Sequence, residues 1–141
     1  MQQVKDYMVK DVETIHPKLS LRVAALRMKS ENVDFLPVIG DSGELVGVVT
    51  YRDIVEKGVA MGDVDVLSVE DVMTTAVYYC FENQSIRTVS KMLGYIGVQR
   101  IPVLSSANRV MGILSITDLL MSSLNIEEKG EILMDVYRRG A

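Results

Sequence analysis

Two short segments of the chain place a carboxylate three residues after a hydroxyl and six residues after a glycine. Where such a segment leads from a strand into a helix, the hydroxyl and the free N–H groups of the helix N-terminus can donate to a phosphate. The carboxylate can accept two hydrogen bonds from a ribose diol. The predicted chemistry is therefore non-covalent binding of a sugar phosphate. The first signature is Gly47, Thr50 and Asp53, and the second signature is Gly112, Ser115 and Asp118.

The same spacing is also that of a helix capping box, so both interpretations of the signatures stay open. In a capping box the hydroxyl accepts from the backbone N–H three residues later, and the acidic side chain accepts from the backbone N–H of the hydroxyl residue. The glycine favours ligand binding, because a residue without a side chain lets a ligand approach the strand closely. The occurrence of the pattern twice also favours a ligand.

Each signature ends a longer internal repeat whose two copies are offset by 65 residues, the distance from Asp53 to Asp118. Without a gap, residues 4–54 match residues 69–119 at 11 of 51 positions, where composition alone would give about three. Half of a 141-residue chain is marginal as a folding unit, so we expect the two copies to share one core. The predicted organisation is repeat 1 at residues 1–60, a linker at 61–68, repeat 2 at 69–124 and a helical tail at 125–141.

Hydrophobic periodicity predicts the order strand, helix, strand, strand, helix in each repeat, which makes an α/β fold. Ser20 and Ser85 are typical N-caps. Pro37 and Pro102 lie inside predicted strands and indicate an edge or a bulge. The tail carries an apolar stripe for packing on the body or on a partner subunit. The predicted strands are 12–16, 35–39, 45–49, 77–81, 100–104 and 110–114, the second helices are 51–60 and 116–124, and the stripe is Ile132, Leu133, Val136 and Tyr137.

Composition and charge exclude several functional classes. The net charge of −4 argues against a nucleic-acid surface, and no apolar run is long enough to span a membrane or to act as a signal peptide. His16 is the only histidine and Cys80 the only cysteine, so no metal site and no disulfide are expected. No paired acid–base or nucleophilic set is present, which argues against an enzyme. These features predict a cytoplasmic protein.

The chain resembles a tandem pair of cystathionine-β-synthase (CBS) domains, known as a Bateman module. The resemblance covers residues 4–124 and rests on the Val-x-Asp-x-Met openings at Val4 and Val69, on Thr14-Ile-His-Pro17, on the Pro-Val strands and on both signatures. It implies duplicated β-α-β-β-α repeats related by a pseudo-two-fold axis. It also implies a regulatory homodimer that binds AMP, ADP, ATP, S-adenosylmethionine or NAD in clefts between the repeats and acts on a further protein. The alternative is a dimerisation module that binds no nucleotide.

The resemblance also implies roles for individual residues. Asp53 and Asp118 would hold ribose hydroxyls, and Thr50 and Ser115 would bind phosphate. Segments before the first helix of each repeat would flank the base, and the Pro-containing strands would line the cleft. The flanking residues are Thr14, Ile15 and His16 with Tyr79, Cys80 and Phe81, the lining residues are Leu36, Pro37, Ile101 and Pro102, and the phosphate-neutralising residues are Arg52 and Arg100.

The two repeats depart from each other at positions that matter for this implied site. The second repeat has Thr117 where the first has Arg52, and Tyr79 where the first has Thr14. Arginine can hold phosphate oxygens with two parallel hydrogen bonds. We therefore expect the first signature to make the better phosphate site.

Overall fold

The computed structural model describes residues 2–122 and 124–140. The chain contains both helices and strands, with a 3₁₀ turn at Val4–Asp6 and a π-helical segment at Ile54–Ala60. The helices are α1 (Leu21–Glu31), α2 (Tyr51–Asp53), α3 (Val69–Val72), α4 (Ile86–Ile96), α5 (Ile116–Leu120) and α6 (Ile126–Gly140). The strands are β1 (Val9–Lys10), β2 (Phe35–Ile39), β3 (Leu45–Thr50), β4 (Cys80–Phe81), β5 (Arg100–Leu104) and β6 (Val110–Ser115).

The chain forms two compact units, each with its own hydrophobic cluster. The first-repeat unit is Glu13–Val77, and the second-repeat unit joins the N-terminal segment through Val12 to the chain from Tyr78 onward. The prediction of one shared core is wrong, because the buried apolar residues of the described chain form two clusters. Each cluster is built from the strands and helices of its own unit. The fully buried side chains include Ile15, Leu21, Met28, Leu36 and Val69 in the first, and Val4, Leu93, Ile101, Leu114 and Leu119 in the second.

The opening segment of each repeat is exchanged, so that it packs in the unit formed by the other repeat. Val4 opens repeat 1 but belongs to the second-repeat cluster, and Val69 opens repeat 2 but belongs to the first-repeat cluster. Val4 N donates to Gln84 O at 3.0 Å, and Val69 N donates to Leu19 O at 2.8 Å. The predicted boundaries describe the repeats along the sequence, whereas the compact units cross them.

The two units share one strand order. In the second-repeat unit the sheet order is β1-β6-β5-β4, with β4 parallel to β5 and the other pairs antiparallel. In the first-repeat unit the antiparallel hairpin β2-β3 is extended by two isolated bridges. Ile15 bridges Val38 in parallel, and Thr74 bridges Val48 in antiparallel orientation. Thr74 therefore takes the place of β1, and Ile15 takes the place of β4.

Local signals in the sequence position the first helices and hairpins as predicted. Ser20 Oγ accepts from Val23 N at 3.1 Å and caps α1. Ser85 occupies the N-cap of α4 without a side-chain capping bond. The bulges expected beside Pro37 and Pro102 are confirmed, because the ladder register shifts between Val38 and Ile39 and between Val103 and Leu104.

Other elements are shorter than the sequence predicts. The predicted strand 12–16 is reduced to the bridge at Ile15, and strand 77–81 covers Cys80–Phe81 only. The second helix of repeat 1 spans the predicted residues 51–60, but it is α-helical for one turn only and then π-helical to Ala60. In repeat 2 the helix ends at Leu120 rather than at 124.

The tail forms α6, which packs against α4 of the second-repeat unit. Ile132 is buried in the cluster of that unit, and Val136 packs against the cluster. A Cβ added at Gly94 would lie 2.4 Å from the Cβ of Asp135, so the absence of a side chain there permits the close approach of the two helices. Two members of the stripe, Ile132 and Val136, thus pack on the body of their own chain, whereas Leu133 is exposed. The side chains of Tyr137 and Arg139 lie outside the described residues.

Candidate functional site

The first signature forms a complete capping box at the end of β3. Thr50 Oγ1 accepts from Asp53 N at 3.1 Å, and Asp53 Oδ2 accepts from Thr50 N at 3.1 Å. The Thr50 hydroxyl also lies 3.1 Å from the same Oδ2. The structural role considered for this spacing is therefore realised in repeat 1.

The Asp53 carboxylate is further enclosed by two residues that the sequence-based interpretation did not select. Its Oδ1 atom lies 3.1 Å from Lys57 Nζ and 3.3 Å from Thr74 Oγ1. Only 8% of Asp53 is exposed. Both oxygens of this buried carboxylate therefore have hydrogen-bonding or ion-pairing partners within the protein. The signal for Lys57 was present in the sequence as an i,i+4 acid–base pair.

The second signature has the same backbone geometry with fewer partners at its carboxylate. Ser115 Oγ accepts from Asp118 N at 3.0 Å and caps α5. Asp118 is half-buried. Among the residues whose side chains the structure describes, none is hydrogen-bonded or ion-paired to the Asp118 carboxylate. This carboxylate can accept hydrogen bonds from a ligand without giving up a partner among the described side chains.

The glycines of the signatures are explained by backbone packing rather than by ligand approach. A Cβ at Gly112 would lie 2.4 Å from the carbonyl oxygen of Val9, and a Cβ at Gly47 would lie 2.9 Å from that of Thr74. The exchanged opening segments therefore run close beside the strands at these positions. The proposed role of Gly47 in admitting a ligand is corrected accordingly.

The cationic residues chosen for phosphate differ in their surroundings. Arg52 is highly exposed, and its Nε donates to Glu56 Oε1 at 2.8 Å one turn later. Arg100 begins β5 directly opposite Ser115 in the antiparallel register and is half-buried. Thr117 is exposed on α5. The structure thus brings Arg100 to the second signature, while Arg52 is engaged by an acidic neighbour.

The residues expected to flank the base in repeat 1 are held in place by local hydrogen bonds. The carbonyl of Thr14 accepts from Arg27 Nη1 at 2.7 Å. Ile15 is buried, and its backbone bonds to both Pro37 O and Ile39 N. His16 Nδ1 accepts from Lys18 N at 3.1 Å, so its Nε2 carries the proton that faces Asp41 Oδ1 at 2.7 Å.

The corresponding residues of repeat 2 present two aromatic rings to solvent on either side of a buried thiol. Tyr79 and Phe81 are 46% and 36% exposed, and their rings meet edge to face with centroids 5.7 Å apart. Between them Cys80 is buried, and desolvation raises the pKa of its thiol to about 12. The two rings offer an apolar surface for a planar base.

The residues expected to line the cleft lie inside the hydrophobic clusters. Leu36 and Ile101 are essentially inaccessible, and Pro37 and Pro102 are buried. Their side chains therefore support the neighbouring segments, and any contact with a ligand would have to come from their backbone.

A groove of about 300 Å³ lies between α4 and α6 in the second-repeat unit, and the second signature does not line it. The floor of the groove is apolar. Its rim carries basic side chains from α4 and acidic side chains from α6. Arg87 Nη2 and Glu128 Oε1 lie 3.8 Å apart across the rim. The lining residues include Ile86, Arg87, Lys91, Leu124, Glu128 and Ile132.

The chain belongs to the CBS domain family, which matches residues 4–59 and 69–125. The two matches coincide with the two sequence repeats, and the second match ends just before α6. The predicted α/β fold of a tandem CBS pair is therefore confirmed.

Several known proteins are similar over most of the chain. The CBS domain-containing protein YhcV of Bacillus subtilis is 31% identical over 136 residues, which is 96% of each chain. The structure of hypoxic response protein I, described with two coordinated zinc ions, has a TM-score of 0.78 at 30% identity and covers 88% of this chain and 100% of that one. The CBS domain pair of protein MJ0100, in complex with 5′-methylthioadenosine and S-adenosyl-L-methionine, has a TM-score of 0.74 at 28% identity and covers 84% and 93%.

Two further observations bear on the other predicted classes. No helix among the described residues is long and apolar enough to traverse a bilayer. Within the same described part of the chain, no cluster of three or more histidine, cysteine or acidic side chains could hold a metal ion.

Proposed function

We propose that this chain is a regulatory module that senses an adenosine nucleotide or a related adenosine derivative and has no catalytic activity of its own. Family membership supports a ligand-binding module. The CBS pair of MJ0100 is described with two ligands that both contain adenosine, and its fold matches this chain. The choice among AMP, ADP, ATP, S-adenosylmethionine and NAD belongs to the proposal.

The observation that carries the proposal is the Asp118 carboxylate. It lies half-buried beside a hydroxyl that caps α5, and no described side chain satisfies it. An acidic side chain in such a position can hold the two hydroxyls of a ribose. Arg100, opposite Ser115, carries a guanidinium suited to a phosphate, and the exposed rings of Tyr79 and Phe81 are in the same unit.

A panel of adenosine compounds tests the proposal. Melting temperature and titration calorimetry would be measured with AMP, ADP, ATP, NAD and S-adenosylmethionine, with ribose 5-phosphate and GMP as matched controls that lack adenine. A ligand at 100 times its Kd should stabilise the fold by about 2.7 kcal/mol. Absence of heat and of thermal protection with every adenosine compound at millimolar concentration would refute the proposal.

A dimerisation module without a ligand is the second candidate, and the first signature favours it. The capping box at Thr50 and Asp53 accounts for both residues without a ligand. The homodimer itself stays a prediction from the family resemblance, because Ile132 and Val136 pack within their own unit. Light scattering at micromolar concentration should report twice the chain mass, and a monomer would contradict the expected assembly.

A further inference from the structure

We propose that the two signatures have different tasks: Asp53 is a structural latch, Asp118 is the carboxylate that receives the ligand, and the chain binds one adenosine ligand. This inference rests on the proposed function, because it assigns that same ligand to one of two candidate signatures. It reverses the ranking expected from Arg52, which the structure pairs with Glu56.

We assign Asp53 a structural role because both of its carboxylate oxygens already have partners in the protein. Oδ2 faces the amide and the hydroxyl of Thr50, and Oδ1 faces Lys57 Nζ and Thr74 Oγ1, all within 3.3 Å. A ribose diol needs accessible lone pairs on the carboxylate. Binding at Asp53 would therefore have to displace a charge-assisted hydrogen bond inside a nearly inaccessible site.

Lys57 connects the Asp53 carboxylate to the backbone of the opening segment of repeat 2. Its ammonium also donates to the carbonyl of Val72 at 3.1 Å, and the backbone of Thr74 exchanges two hydrogen bonds with Val48, at 2.8 and 3.0 Å. The cluster thereby fastens the π-helical segment and β3 to the exchanged opening segment. Its role in holding this segment is complete without a bound molecule.

The second repeat lacks the residues that close the first. At the offset of 65 residues, Ser122 stands in place of Lys57 and Val9 in place of Thr74. The structure supports this equivalence, because Thr74 bridges Val48 and Val9 pairs with Ile113, the counterpart of Val48. Valine has no polar side-chain atom, and the Ser122 hydroxyl donates to the carbonyl of Leu119 instead.

Exchange of these two residue pairs between the repeats tests the assignment. Lys57→Ser with Thr74→Val removes the two partners of Asp53 Oδ1, and Val9→Thr with Ser122→Lys introduces the same two residue types beside Asp118. Val23→Thr with Ser30→Lys makes the same types of change on exposed positions of α1 and serves as the matched control. Titration calorimetry with AMP, and in parallel with S-adenosylmethionine, measures stoichiometry and Kd.

The wild type and the control should bind one ligand per chain with equal affinity. The opened first repeat should gain a second binding event, and the closed second repeat should lose at least about tenfold in affinity, the effect of one lost charge-assisted hydrogen bond. Asp118→Asn, which changes no volume, should show the same loss if the closed variant does not fold.

Two results overturn the inference while leaving the proposed function intact. One is a wild type that binds two equivalent ligands per chain, and the other is an Asp118→Asn variant that keeps wild-type affinity. A wild type that binds neither AMP nor S-adenosylmethionine refutes the proposed function, and the assignment of the ligand to Asp118 fails with it.

Discussion

The carbonyl oxygen of Val9 lies so near Gly112 that a Cβ atom at position 112 would be 2.4 Å away from it. Val9 belongs to the opening segment of repeat 1, and Gly112 belongs to the hairpin of repeat 2. The glycine of the second signature is therefore required by the strand that passes beside it. The same relationship links Gly47 to Thr74 in the other unit.

Gly112→Ala should destabilise the chain by at least about 2 kcal/mol, because the neighbouring atom is backbone and cannot move aside like a flexible side chain. Urea unfolding would measure the loss. Gly130→Ala is the matched control, since nothing lies within 4 Å of a Cβ at that helical position, and it should raise stability by about 0.5–1 kcal/mol. Equal effects of the two substitutions would contradict the packing explanation.

Asp53→Asn should cost about 1.5–3 kcal/mol of stability, because it removes the charge that Lys57 faces and leaves polar neighbours poorly paired in a buried site. Asp118→Asn should cost less than about 1 kcal/mol, since its carboxylate has no described side-chain partner. Urea unfolding of both variants provides the comparison, with circular dichroism to verify the helix content. A larger loss of stability for Asp118→Asn than for Asp53→Asn would show that the structural role belongs to Asp118 instead.

The Cys80 thiol should be unreactive in the native chain, because burial raises its pKa from 9.0 to about 12 and the thiolate is the reactive form. A thiol reagent at pH 8 should label the native protein slowly and the urea-unfolded protein at once. Rapid labelling of the native chain would contradict the burial of Cys80 in the cluster.

The same shift predicts a pH dependence of stability. The folded state keeps the proton up to about pH 12, whereas the unfolded state loses it above pH 9, so the contribution is present below pH 9 and is lost as pH rises. At pH 10.5 the free energy of unfolding should be lower than at pH 8 by about 1–2 kcal/mol more in the wild type than in Cys80→Ala. Equal losses in the two proteins would contradict the shift.

Gly94→Lys should release α6 from α4, because the first repeat carries Lys29 at the corresponding position and any side chain there would collide with Asp135. Hydrogen exchange should become faster in residues 126–140, while the amides of β5 and β6 stay protected. Lys29→Gly on α1 is the control and should leave exchange in the tail unchanged. If the amides of residues 126–140 stay protected in Gly94→Lys, the packing of α6 on α4 does not require the absence of a side chain at position 94.

Sequence patterns that depend on neighbours along the chain predicted the fold well. The hairpins, the cap at Ser20 and the bulges beside Pro37 and Pro102 all follow from residues a few positions apart. The i,i+4 pairs of Arg52 with Glu56 and of Asp53 with Lys57 are equally local. Their spacing in the sequence predicts that Arg52 is paired with an acidic neighbour.

The features that sequence could not predict depend on which distant segments meet. The opening Val-x-Asp-x-Met segments have the same local pattern in either unit, so nothing in them specifies the exchange seen at Val4 and Val69. The enclosure of Asp53 depends on Thr74, which lies 21 residues away along the chain. The difference between the two signatures therefore becomes visible only when these contacts are known.

The exchange of opening segments gives a physical reason why this repeat occurs in pairs. A solitary copy would carry a segment with no sheet to join and a hairpin with an uncovered edge, and such edges bind other strands. Two identical copies could satisfy each other by swapping these segments, which is an inexpensive way to form a dimer. Fusion of two such copies into one polypeptide would then preserve the swap.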